Sequence, residues 1–283
     1  MRRLLLPVGQ VAGVPIRVHA VFLLLISALL AVSVQRQGLA GLAHALPVVA
    51  SALLALLSHE LGHALVARRV GVAVPGITLG PLVNVAWLGS EPETRAQDVQ
   101  IASGGPAANA LLAGTFLLLG LAPGEASWAR AGLWINTAMA AGNLLPVFPL
   151  DGGRILRALL AAHRPHLIAT RLAVKVGNVL VVALLALTLA HPAVHSSWVH
   201  IGIVVLLAVA LLRAGAREFQ SALCRELRLQ FQAGSEVAES LSEALTALSA
   251  PSPRSGRPLT PAQFRRWREP CEAAFRRRQG EAG

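Results

Sequence analysis

Two histidines four residues apart, with a glutamate directly after the first, stand inside an apolar run: His59-Glu60-Leu61-Gly62-His63. On a helix, positions i and i+4 share a face. Both imidazoles can then bind one Zn²⁺, and the intervening Glu can serve as a general base. Two imidazoles and a carboxylate at membrane depth are costly unless they are paired, metal-bound or facing a wet cavity. A buried polar cluster stitching helices together would be the plain alternative, but it leaves the spacing unexplained. The pattern points to hydrolytic chemistry within a bilayer.

Hydrolytic zinc sites take three protein ligands and leave the fourth position to water. The third ligand must come from elsewhere, and Asp151 stands out. It follows Asn143-Leu144-Leu145-Pro146-Val147-Phe148-Pro149-Leu150 and precedes Gly152-Gly153-Arg154, and no other acidic residue occurs between Glu125 and Glu218. Two prolines break an apolar helix just before it. The glycines free the backbone beside it. Non-helical backbone at membrane depth is tolerated where it lines a cavity. Taken alone, an Asp-Gly pair beside Arg154 also reads as an ordinary turn; the motif on another span favours the ligand. Zinc lowers the pKa of its water toward ~7, and Glu60 can take that proton and return it to a leaving amine. The expected complement is one zinc per chain.

Other polar residues carry weaker signals. Ser103-Gly104-Gly105-Pro106-Ala107-Ala108-Asn109 reads as a helix start with close packing, Pro106 suiting a first turn. A role for Asn109 beyond packing has little support in the sequence. His191, His195 and His200 match no metal spacing and read as an interfacial loop. His19, His44, His163 and His166 read as membrane-edge residues. Cys224 and Cys271 are too sparse for a disulfide framework and read as structural or incidental.

The elements that must hold these residues are membrane helices. Of 283 residues, 54% are hydrophobic and 14% charged, with mean hydropathy +0.59, against about 25% charged in a soluble domain. The chain therefore reads as an all-α polytopic membrane protein. Six apolar stretches approach the roughly 20 residues a span needs: Val18 to Val34, Leu46 to Val66, Pro106 to Leu121, Ala131 to Phe148, Val176 to Ala190, and Trp198 to Leu212. The first reads as a signal anchor, not a cleaved leader. Basic residues cluster before the first span, after the second, between the fourth and fifth, and after the sixth, whereas the other side has little beyond Arg36 and Arg130. That asymmetry puts both termini in the cytoplasm. It also explains the net charge of +11 without nucleic acid, for which the aromatic interleaving is missing. The abundance of Ala, Leu, Arg and Gly suggests a bacterium with GC-rich DNA, and hence the inner membrane.

Between the second and third spans, residues 70–102 contain β-branched, Gly/Pro-punctuated segments at Val70 to Pro75 and Ile77 to Leu88. They predict two to four short strands, a small sheet at the cytoplasmic face. Glu91 to Asp98 reads as an exposed turn. Three regions result: a core over 1–215, an amphipathic helical segment over 216–250, and a basic Pro/Ser/Arg-rich tail over 251–283, which reads as partly disordered or lying on the anionic leaflet.

The pair of motifs, His59-Glu60-Leu61-Gly62-His63 and Asn143 through Gly153, resembles the site-2 protease family, the intramembrane zinc metalloproteases of the M50 class. Gly13-Val14-Pro15-Ile16-Arg17-Val18-His19 and Ser103-Gly104-Gly105-Pro106 support the likeness, which runs from about Gly13 to Glu218. It implies His59, His63 and Asp151 as zinc ligands, Glu60 as the catalytic Glu, and Asn143 as a residue that helps hold substrate or the oxyanion. It also implies a single-span membrane protein as substrate, of the anti-sigma factor or membrane-tethered transcription factor type. A helical substrate must unwind before attack, and the expected strands between Val70 and Leu88 offer an edge for it to pair with. Against some members of that family, the sequence shows no insertion of the size a PDZ domain needs, and its tail reads as too short and irregular for a nucleotide-binding CBS pair. Two other readings stand beside this one. A six-span transporter or ion channel leaves Glu60 between two histidines unexplained. A catalytically silent membrane scaffold is not favoured by any residue, since ligands and base are all present.

Overall fold

A computed structural model describes residues 5–80, 85–87, 94–120, 127–191 and 198–232. Two strands come first, β1 (Leu5–Val11) and β2 (Val14–His19), then the long helix α1 (Ala20–Arg69). Strands β3 (Gly76–Leu79) and β4 (Val85–Trp87) follow. The rest is helical: α2 (Arg95–Gly120), α3 (Ser127–Asn143), α4 (Asp151–Leu160), α5 (His166–Ala190) and α6 (Trp198–Gln232). The chain divides into two compact units, Met1–Ala216 and Arg217–Gly283. The second is described only as far as residue 232, as the C-terminal part of α6. The tail and most of the segment over 216–250 lie outside the described residues.

Among the described residues, four helices are long and apolar enough to cross a membrane: α1, α2, α5, and His200–Glu226 within α6. Helix α3 has 17 residues. A straight α1 of 50 residues would measure about 75 Å, more than twice the ~30 Å hydrocarbon core. It is not straight. Gly38 has φ 61° and ψ −150°, outside helical geometry. A methyl group on Gly41 would lie 2.9 Å from the carbonyl carbon of Ser33. Residues eight apart on a straight helix are about 12 Å apart, so the chain folds back on itself here. Glycine suits the positive φ at position 38, and at position 41 only glycine leaves room for the Ser33 backbone.

The sheet differs from the sequence-based expectation. It has four strands in the order β1-β2-β3-β4, and half of it comes from residues ahead of the first span. Strands β1 and β2 form an antiparallel hairpin, β2 pairs parallel with β3, and β3 pairs antiparallel with β4. Ala12 and Gly13, both at positive φ, make the two-residue turn that suits hairpin twist. Val14, Ile16 and Val18 of β2 face inward, against Ile77 and Leu79 of β3 and Ala64 of α1. Residues 72–75 are not a strand, and Val72 packs with Ala67 and Ile101 instead. Residues 81–84 and 88–93 lie outside the described set.

One further expectation is corrected. The third helix starts at Arg95, not Pro106, which lies well inside it. Its polar first turns concealed that start from a search for apolar runs. Cys224 is disulfide-bonded, which falls within the structural reading of the cysteines; Cys271 lies outside the described residues.

Apolarity is arranged inside out. Leu24, Leu39, Leu111, Leu118, Val179 and Leu206 are all exposed, whereas His59, Glu60, His63, Asn109, Asn136 and Asp151 are all buried. Leucine outward and amide inward is the partition expected where lipid is the solvent.

Candidate metal centre

Three buried side chains converge. His59 and His63 occupy one face of α1, as the i, i+4 spacing requires. Asp151 opens α4. Between α3 and α4, residues 144–150 are non-helical and include a cis Phe148-Pro149 bond. The glycines after Asp151 serve space, not backbone freedom. A methyl on Gly152 would run into the carbonyl oxygens of Leu144 and Leu145, and one on Gly153 would lie 2.8 Å from the carbonyl carbon of Val147. The loop folds tightly over the start of α4 and so delivers the carboxylate to α1.

His59 Nε2 lies 3.1 Å from His63 Nε2 and 3.1 Å from Asp151 Oδ2; His63 Nε2 lies 3.2 Å from the same oxygen. Tetrahedral zinc, with ligands at 2.0–2.2 Å, holds its donor atoms about 3.3 Å apart. The observed triangle is close to that edge length. The cluster is a group able to hold a metal ion.

Protons decide how the triangle should be read. His59 Nδ1 lies 2.6 Å from Asn109 Oδ1, and His63 Nδ1 lies 2.6 Å from the carbonyl of Ile101. Both partners only accept, so in each neutral ring Nδ1 carries the hydrogen and Nε2 presents a lone pair. The Gly105 amide also lies 3.3 Å from His63 Nδ1, but a helical amide at that position donates to Ile101 itself, and the shorter contact governs the ring. Asp151 Oδ2 is buried without a hydrogen-bond partner. With both rings neutral, three lone-pair atoms converge within 3.2 Å of one another. Such an arrangement suits a cation.

Helix α2 frames this centre. Gly62 and Gly104 meet where α1 crosses α2: a methyl on Gly104 would lie 2.9 Å from the Gly62 carbonyl carbon. A methyl on Gly105 would lie 2.7 Å from His59 Nε2 and strike His63 Nε2. Bare backbone at Gly105 is thus a wall of the site. At the start of α2, Asp98 accepts from Arg154 (3.1 Å) and Arg157 (2.9 Å) of α4. Arg154 also approaches Asp151 Oδ1 at 3.9 Å, and the Arg157 guanidinium lies 5.7 Å from the Phe148 ring centre. Arg95 donates to the Ala161 carbonyl at the far end of α4.

The structure thus brings together His59, His63 and Asp151. Glu60 is buried beside them on α1. Asn143 closes α3, and its amide donates to Met139 one turn back, at 2.9 Å; it is outside the three-residue cluster. His191 ends α5 and His200 lies exposed in α6, while His195 is outside the described residues. Sequence reasoning missed Asn109, Asn136 and Asp98. Asn109 had a usable signal: it stands four residues after Gly105 and so shares its helix face.

Comparison with known proteins fits this geometry. The model of Peptidase family M50 matches residues 48–130 and 122–187. Rip3 of Mycobacterium tuberculosis, named as a candidate zinc metalloprotease, is 34% identical over 208 residues, covering 66% of this chain and 51% of that protein. A zinc metalloprotease of Methanocaldococcus jannaschii is 28% identical over 181 residues, covering 62% of this chain and 51% of the relative. The chain thus spans about half the length of these relatives. The solved site-2 protease from Methanocaldococcus jannaschii shares the fold, with a TM-score of 0.53 at 23% identity, over 76% of this chain and 95% of that one.

Proposed function

Since the chain belongs to peptidase family M50, the site-2 protease family, we propose that it is a zinc-dependent intramembrane endopeptidase. His59, His63 and Asp151 hold the zinc, one per chain, and Glu60 is the general base. The observation that carries this reading is the buried triangle of His59 Nε2, His63 Nε2 and Asp151 Oδ2, 3.1–3.2 Å apart.

Bound zinc supplies a water of lowered pKa and polarises the scissile carbonyl. The chain's own residues supply the rest. Glu60 takes the proton from the attacking water and returns it to the leaving amine. The exposed leucines keep the site below the lipid surface, where a transmembrane substrate lies. Asn143 serves substrate or oxyanion binding once its amide leaves the Met139 carbonyl. The unwound substrate adds as a strand to an edge of the sheet. β4 is one such edge.

The remaining features follow from the same reading. Six spans arise when the fold at Gly38 makes two crossings of α1 and α3 makes a further one. The clusters of arginine put both termini in the cytoplasm, in a bacterial inner membrane. The substrate is a single-span regulator of the anti-sigma factor or tethered transcription factor type.

Purified full-length protein and its Glu60→Gln variant test the proposal against a model transmembrane substrate. Cleavage by the parent, none by the variant, and equal zinc in both is the expected result. Zinc without cleavage in either would favour a silent scaffold. A protein without zinc would favour the transporter or channel.

A further inference from the structure

We propose that Asn109 is a positioning residue for the metal centre: backed by Asn136, it locks His59 in the Nδ1–H tautomer and aims its Nε2 lone pair at Asp151 and His63. This inference rests on the reading of His59 as a zinc ligand.

The two histidines are held by different means. His63 Nδ1 donates to a main-chain carbonyl, that of Ile101, which no side-chain change removes. His59 Nδ1 depends on one side-chain atom, Asn109 Oδ1, at 2.6 Å. The orientation of that amide is itself fixed. Asn109 Nδ2 donates to the Ala55 carbonyl and to Asn136 Oδ1, each at 3.0 Å. Asn136 Nδ2 donates in turn to the Gly132 carbonyl at 2.8 Å. A carbonyl only accepts, so Ala55 and Gly132 set the direction of the whole chain. Flipping either amide would put oxygen against oxygen.

Both asparagines are fully buried. The network joins α1, α2 and α3 through one amide group, and its output is the proton position on a single imidazole. Without Oδ1, a buried Nδ1–H would lack a partner, a cost of about 1–3 kcal/mol. The ring could then rotate, or move its hydrogen to Nε2, where the metal needs a lone pair. Partners of this kind behind a metal ligand typically change affinity about 10- to 100-fold. A merely structural role, two amides gluing helices, would leave zinc affinity tied to folding alone.

Zinc titration of the full chain in detergent, against a competing chelator, separates these cases. Co²⁺ absorption and helical melting are followed in parallel. Asn109→Leu should weaken zinc about 10- to 100-fold and alter the Co²⁺ bands while the protein stays helical. Asn109→Asp, which, buried against the Ala55 carbonyl, keeps its proton as the donor there and leaves the other oxygen as an acceptor facing His59, should recover most of the affinity. Asn136→Leu should show a smaller loss, because Ala55 still orients the amide. A folded Asn109→Leu with parental affinity and bands overturns the proposal. Should that variant fail to fold, Asn109→Asp decides: a folded protein binding zinc no better than His59→Ala also overturns it. Parental zinc binding by His59→Ala would instead defeat the ligand reading itself.

Discussion

At the scale of single residues, the centre is built for a cation at the expense of the metal-free protein. Asp151 Oδ2 is buried without a hydrogen-bond partner and faces two nitrogen lone pairs. Asp151→Asn would place an amide donor against those lone pairs. The metal-free variant should gain about 1 kcal/mol of stability over the metal-free parent, read as a raised melting midpoint, and should bind no zinc. A variant that melts below the metal-free parent would mean the lone pairs do not oppose one another. Gly105 makes a complementary prediction. Its hydrogen leaves room that a methyl would take from His59 and His63. Gly105→Ala should lose most of its zinc affinity while retaining helical content, measured by titration and circular dichroism. Full zinc loading of that variant would show that the site has slack the structure does not display.

At the scale of elements, α2 is the part that indexes the others. Arg95, Asp98, the Ile101 carbonyl, Gly105 and Asn109 follow one another at intervals of three or four, so one face of the helix carries all the contacts. In order they touch the end of α4, its arginines, His63, both imidazoles and His59. Histidines from α1 and the carboxylate from α4 are thereby referred to a common ruler. Asp98→Ala removes the acceptor shared by Arg154 and Arg157. It should cost about 2 kcal/mol in a thermal or denaturant melt, and zinc should leave faster because α4 no longer keeps its register on α2. Unchanged zinc release from a destabilised variant would limit Asp98 to stability. Proline at Ala86, in the middle of β4 and opposite Ile77, would disrupt that edge strand; under the strand-addition reading, cleavage should fall while zinc binding stays.

For the whole molecule, the exposed leucines and buried amides state which solvent the fold expects. Orientation within that solvent is a separate question, and the arginine asymmetry answers it with a prediction. Cysteines placed at Arg36 or Arg130 should react with a membrane-impermeant maleimide in intact cells, and one placed at Arg213 only after permeabilisation. The reverse pattern would invert the topology and move the centre to the other face. Six spans also require the fold at Gly38. Replacing Gly38 and Gly41 together by leucine should disrupt the reversal of α1 and abolish insertion as a hairpin, seen in the same labelling assay.

The sequence by itself determined which side chains could meet at a metal. Spacing of three to four residues on a helix is a local property, so His59 and His63 were legible as neighbours. Asp151 was legible because no other carboxylate stood near it in the sequence and a proline-broken helix end preceded it. Strand alternation at β2 is only three residues deep, so the N-terminal half of the sheet was hidden. Tertiary structure decided what lies behind the ligands. That Asn109 faces His59, that Asn136 faces Asn109, and that Asp98 reaches across to α4 depend on how separate helices rotate and cross. Those rotations are fixed where glycines let backbones touch, at Gly62 and Gly104, and no periodicity within one helix encodes the angle of another.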